Sequence, residues 1–252
     1  MRCLEIVSSG KTVKVPVVTA FLLFLLLLSG GPARASITRA QAAKTGAPFM
    51  VYIPDGLDST VKHPCVIALS PNGRGERALA FMKAACDRYQ WILVSPENRG
   101  RAVQFLALDQ GMRDTIETAV KSYPIDTQRI IAGGYAGGGM EAHHLSVICP
   151  DFIKGVIANC GIIHADGMRL PNYAKGKFAV LLTNADDFRY MQMKQNADFL
   201  TENRWQVAWM EFSGGHRWAP PAVYLRAFGW LDQRMNASLN PDVTTSTLRL
   251  DK

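Results

Sequence analysis

The sequence predicts an α/β fold, a three-layer sandwich in which a mostly parallel sheet carries helices on both faces. Three observations lead there. Strand-like runs of β-branched and aromatic residues alternate with stretches of helical periodicity along most of the chain. One strand-like run passes through a glycine-rich turn straight into a helical stretch, the junction expected of a strand crossing over to a helix. The composition, 48% apolar and 19% charged with 21 Gly and 13 Pro in 252 residues, suits a packed globular core and excludes a disordered or collagen-like chain.

The first segment reads as a targeting signal. Arg2, Lys11 and Lys14 precede a twelve-residue apolar run, Val17 to Leu28, too short for a comfortable membrane span. Ser29-Gly30-Gly31-Pro32 follows, then Ala33-Arg34-Ala35, a small-x-small pattern that places cleavage before Ser36. An uncleaved anchor is the alternative. The division is therefore a signal peptide over 1–35 and one domain over 36–252, with a core at about 49–235 and a frayed tail at 236–252. The expected location is secreted or periplasmic, with membrane contact only during export.

Net charge is +7, and residues 1–35 account for three of those charges, with Arg2, Lys11, Lys14 and Arg34 against Glu5. The remaining basic residues are scattered and form no run, which argues against a nucleic-acid partner. Cys65, Cys86, Cys149 and Cys160 show no metal-ligand spacing and no C-x-x-C, so buried thiols are expected, with one bridge left open. No cofactor or metal is expected. The Asn236-Ala237-Ser238 sequon matters only in a eukaryotic secretory pathway.

Strands are expected at Phe49 to Ile53, Cys65 to Leu69, Trp91 to Val94, Arg129 to Ala132, Gly155 to Asn159, Phe178 to Thr183 and Gln206 to Phe212. Helices are expected at Glu76 to Tyr89, Phe105 to Tyr123, Gly138 to Val147, Asp187 to Asn203 and Pro221 to Met235. In the second of these Leu108, Met112, Ile116, Ala119 and Val120 share a face, and in the fourth Met193, Ala197 and Leu200 do. Ser36 to Ala47 reads as an irregular lead-in.

In a doubly wound sheet ligands gather at the carboxyl ends of the strands, so the loops there carry the functional information. Arg129 to Gly139 runs from strand to helix with Gly134 and Gly138 two positions either side of Ala136. This is the frame of a nucleophile elbow, in which small flanking residues let the central one sit at positive φ. The central residue here is alanine.

The chain resembles α/β-hydrolases of the esterase, feruloyl-esterase and polyhydroxybutyrate-depolymerase-like group over about residues 49–231. The resemblance rests on Val51-Tyr52-Ile53-Pro54, on Tyr123-Pro124-Ile125-Asp126-Thr127-Gln128-Arg129-Ile130 leading into the elbow, on Asn184-Ala185-Asp186-Asp187-Phe188, and on Gly214-Gly215-His216-Arg217-Trp218. It implies His216 as general base and Asp187 as the acid that orients it, with Asp186 as the alternative acid. The bland readings are a loop histidine after a Gly-Gly turn and an Asp pair capping a helix.

Ala136 stands where the resemblance implies a serine, and a methyl group has no lone pair with which to attack a carbonyl. The loop after the second predicted strand departs as well, with Ser70-Pro71-Asn72-Gly73 in place of the usual His-Gly-Gly. Proline has no N–H, so Asn72 and Gly137 are the expected amide donors to an oxyanion. Ser70, Tyr135 and Cys160 are candidates for a relocated nucleophile, and none has the elbow position. Tyr135 and Trp218 are candidate ligand contacts. Adjacent His143 and His144, after Glu141, lack the i, i+4 spacing of a metal pair, and His164 with Asp166 is either pocket lining or plain loop.

Three functions follow. One is an exported pseudo-hydrolase that binds a small-molecule, carbohydrate or polymer-ester ligand. The second is an active serine-type carboxylic ester hydrolase with its serine engineered to alanine. The third is a hydrolase in which His216 and Asp187 activate water directly.

Overall fold

The structure is a computed structural model that describes residues 3–8, 11–16, 34–97, 105–164, 168 and 176–239. Two compact units divide the chain at residue 33. In the first, β1 (Cys3–Ser8) and β2 (Lys11–Pro16) form an antiparallel pair in the register Cys3 to Pro16. The apolar run and small-x-small site expected of a signal peptide fall largely within 17–33, outside the described residues, as do Asp166 and the tail segment 240–252. No helix among the described residues is long and apolar enough to cross a membrane.

The second unit is built on one eight-stranded sheet. Its strands are β3 (Ser36–Gln41), β4 (Pro48–Ile53), β5 (His63–Leu69), β6 (Ile92–Pro96), β7 (Ile125–Tyr135), β8 (Ile153–Asn159), β9 (Phe178–Thr183) and β10 (Gln206–Glu211). They lie in the order β10-β9-β8-β7-β5-β6-β4-β3. β3 and β4 run antiparallel to their neighbours, and the six others are mutually parallel.

Among the described residues five helices cover the two faces: α1 (Gly75–Tyr89), α2 (Phe105–Ser122), α3 (Gly137–Ile148), α4 (Tyr190–Glu202) and α5 (Pro221–Leu239). The strand period of two sorts the core. Cys65, Ile67 and Leu69 of β5 face one layer with Ile116 of α2, Leu145 of α3 and Met193 of α4. Val66 and Ala68 face the other with Met82 of α1 and Phe228 of α5. All these side chains are under 4% exposed, so both faces of the sheet are dry, as parallel strands require.

Three expectations need correction. The lead-in at Ser36 to Gln41 is the edge strand β3; its outward residues are exposed, so it carries no alternating apolar signal and is held by pairing with β4. Asn236 does not begin a frayed tail, because α5 continues to Leu239, with Asn236 bonded to Asp232 one turn back and to Arg129. The fourth helix starts at Tyr190, not Asp187. A turn in which the Asp187 N–H donates to Asn184 O at 3.0 Å precedes it, and the Asp187 carboxylate accepts the Arg189 N–H at 2.8 Å.

The winding reverses between β5 and β7. From β5 the chain moves to β6 on one side, and from β7 it moves to β8 on the other, so the loops after β5 and β7 part and leave a crevice at their carboxyl ends. Ser70 and Ala136 begin those two loops.

Candidate active site

Ala136 joins β7 to α3 at φ 50° and ψ −114°, a backbone region that an L-residue adopts only when its surroundings hold it there. The flanking glycines explain how. A Cβ on Gly134 would lie 2.4 Å from Leu69 O, and one on Gly138 would lie 2.3 Å from the same oxygen. The turn is thus pressed against the end of β5. Its geometry is fastened by the Ala136 N–H, which donates to Asn159 O at 2.8 Å, and by the Met140 N–H, which donates to Ala136 O at 3.0 Å.

Asp187 and His216 come from the loops after β9 and β10. His216 Nδ1 lies 3.0 Å from Asp187 Oδ2 and 3.2 Å from Oδ1. An ionised carboxylate only accepts, so Nδ1 carries the proton and Nε2 is left as the basic nitrogen. Asp186 is exposed and donates its N–H to Asn184 Oδ1, so the carboxylate that meets His216 is that of Asp187.

The Asp187 side chain is fully shielded from solvent. Burial pushes its carboxyl up, but hydrogen bonds from the Cys160 thiol, the Arg189 N–H and His216 outweigh that and hold it below the usual carboxylate range. The histidine loop is fixed by Asn184, whose amide donates to Gly215 O at 2.7 Å and accepts the Gly215 N–H at 2.9 Å. The Tyr135 hydroxyl donates to His216 O at 2.8 Å, which links the last residue of β7 to the same loop.

Two residues in this cluster escaped the sequence. Asn159, fully buried at the end of β8, accepts the Ala219 N–H at 2.7 Å and the Tyr224 hydroxyl at 3.1 Å, and donates to Arg217 O at 3.3 Å. A polar residue ending an apolar strand on the carboxyl side was its only signal. Phe188, 73% exposed, places its ring 4.6 Å from the His216 ring. An exposed aromatic beside an acid position carried no periodicity that could mark it.

The other candidates take clear places. Asn72 and Tyr135 border a cleft of about 660 Å³, and so does Trp218, which is 7% exposed and stacks on Phe81 at 4.9 Å. Gly137 opens α3, where an N–H has no acceptor within its own helix. The Ser70 hydroxyl accepts the Arg74 N–H at 2.8 Å, the bond of a turn cap. Cys160 is buried, and burial followed by the Asp187 contact pushes its thiol far up, the reverse of an activated thiolate. Cys65, Cys86 and Cys149 are also free and buried.

His143 is buried, and burial drives its imidazole down to about 3, whereas His144 on the adjoining face bonds Asp109 at 2.9 Å. His164 is exposed. Cys160, Asp187 and His216 bring a sulfur, an oxygen and a nitrogen within 4.8 Å of one another. That set could hold a metal only by losing the thiol proton and opening the Asp187–His216 bond.

No protein-family model matches the sequence, and no curated protein matches it. Solved structures do match in fold. The fluorophosphonate-binding serine hydrolase F of Staphylococcus aureus superposes with a TM-score of 0.59 at 14% identity, over 80% of this chain and 99% of that one. A serine-to-alanine mutant of the feruloyl esterase module from Clostridium thermocellum, complexed with sinapinate, gives 0.59 at 16% identity over 81% and 89%. A hyperthermophilic esterase from Pyrobaculum calidifontis gives 0.60 at 14% identity over 87% of each chain. The chain has the α/β-hydrolase fold, and its structural neighbours include esterases and serine hydrolases.

Proposed function

We propose that this protein is an exported pseudo-hydrolase that holds an ester or carbohydrate ligand at an esterase-type site without forming an acyl-enzyme. One observation carries the reading. At the elbow, Ala136 presents a methyl group from a backbone at φ 50°, while Asp187 and His216 remain bonded at 3.0 Å. The imidazole and carboxylate are bonded as a base and its orienting acid would be, and the elbow side chain offers no atom that could attack.

The chemistry that remains is recognition. A ligand carbonyl entering the crevice between β5 and β7 meets the N–H of Gly137 and the loop at Asn72, and His216 Nε2 accepts a hydrogen bond from a ligand hydroxyl or from water. Loss of a nucleophile from such a triad costs about a million-fold in turnover, so binding outlasts catalysis. The feruloyl esterase mutant complexed with sinapinate supports this, since a serine-to-alanine form of that fold still holds an organic acid.

Asp187 and His216 also favour a second reading, direct activation of water, because a His whose Nδ1 is held by a buried carboxylate is a competent general base. Turnover of short p-nitrophenyl esters separates the two. The native protein is expected to be inactive, Ala136→Ser to turn over, and the added His216→Ala to abolish that activity. Hydrolysis by the native protein that is lost in His216→Ala would establish the water route instead.

A further inference from the structure

The cleft beside the elbow has a charge that ester binding does not call for. Arg74, at the start of α1, Arg77, one turn along it, and Arg217, next to His216, all border it, and no carboxylate of the described residues does. None of the three side chains forms an ion pair with a carboxylate of the described residues, whereas Arg39, Arg113 and Arg129 each do. The neighbouring cleft of about 670 Å³ shows the contrast. Arg39 and Arg74 line it together with Glu76 and Glu97, so its charges balance, and both carboxylates pair with Arg39.

The rest of the cleft wall combines Ser70 and Asn72 with two prolines and an aromatic cluster. Phe81 and Trp218 stack face to face at 4.9 Å and 1°, the Arg77 guanidinium lies 5.9 Å from the Phe81 ring, and Tyr135 packs on Trp218 at 5.2 Å. A guanidinium over an aromatic ring, with two more at the rim, suits a flat apolar body that carries an oxyanion. Three like charges around one space repel one another, and a bound anion relieves that repulsion.

We infer that the ligand of this cleft is an organic anion, a carboxylate on an apolar or aromatic body, held by Arg74, Arg77 and Arg217 with its body against Trp218 and Phe81. The inference rests on the reading of the same crevice as a ligand site and adds the charge of what enters it. It also gives Arg217 a purpose next to His216, since an anion there anchors the ligand while its neutral part reaches the elbow.

Calorimetric titration of the native protein with 3-phenylpropanoate, with its neutral isostere 3-phenylpropanamide and with inorganic phosphate tests it, and requires no hydrolytic activity. The carboxylate is expected to bind at least about tenfold tighter than the amide, the effect of about one charge-assisted hydrogen bond, and to weaken as salt rises. That preference is expected to disappear in Arg77→Gln/Arg217→Gln and to survive in part in Arg217→Lys. Equal affinity for the amide, a preference that persists in the double variant, or no carboxylate binding up to about 10 mM overturns the inference. Phosphate binding as tightly as the carboxylate overturns its organic part. The ester assays on Ala136→Ser read the elbow alone, so either claim can fail without the other.

Discussion

The Tyr135 hydroxyl and the His216 main-chain oxygen are joined by a 2.8 Å hydrogen bond that ties the strand entering the elbow to the loop that carries the imidazole. The bond does not involve the side chain at position 136. The histidine therefore keeps its place whether that side chain is a methyl or a hydroxymethyl group, which is why restoring one oxygen is expected to restore chemistry.

Removing that bond tests the coupling. In an Ala136→Ser background, Tyr135→Phe is expected to lower kcat by about tenfold with a smaller effect on KM, because the imidazole loop is loosened while the cleft wall keeps its ring. Steady-state kinetics on a p-nitrophenyl ester checks this. A KM effect larger than the kcat effect would make Tyr135 a ligand contact first.

The elbow glycines make a steric prediction. Gly138→Ala places a methyl group 2.3 Å from Leu69 O and is expected to destabilise the fold by more than about 2 kcal/mol, whereas Gly137→Ala meets nothing within 4 Å and is expected to change stability by less than about 1 kcal/mol. Urea denaturation of the two variants measures the difference.

Asn159 makes a prediction about buried polarity. Asn159→Ala leaves the Ala219 N–H, the Tyr224 hydroxyl and Arg217 O without the amide that now pairs them, an expected loss of about 2 to 4 kcal/mol. A thermal midpoint within about 2 °C of native would show that these groups find other partners.

The depressed Asp187 carboxyl sets an acid dependence. A carboxyl whose folded value lies below its unfolded one binds its proton more readily in the unfolded chain. Its contribution to stability is therefore complete above the unfolded value, about 3.9, and is lost as pH falls from there through the lower folded value. Asp187→Asn is expected to be less stable than native at pH 7 and to approach it as pH falls toward 2. Urea midpoints across that range check the convergence.

The parts that could be read from the sequence are those with a local signature. Gly134 and Gly138 mark the elbow because close packing on Leu69 excludes any side chain there, and β5, β8 and β9 are legible because strands buried on both faces become continuous apolar runs. β3 was hidden because an exposed edge strand carries no such run. The start of α4 was misplaced because Asp187 looks like a helix cap, and its side chain does accept the Arg189 N–H while it also meets His216. Asn159 and Phe188 act through partners distant in the chain, a dependence that a local pattern does not encode.

Covalent labelling with a fluorophosphonate, read by intact mass, tests the role of Ala136 most directly. The expectation is that the native protein stays unlabelled and that Ala136→Ser takes up a single adduct, on the new serine, at a rate that falls with His216→Ala. An adduct on the native protein would contradict it, and its position, at Ser70 or elsewhere, would identify the nucleophile that the elbow lacks.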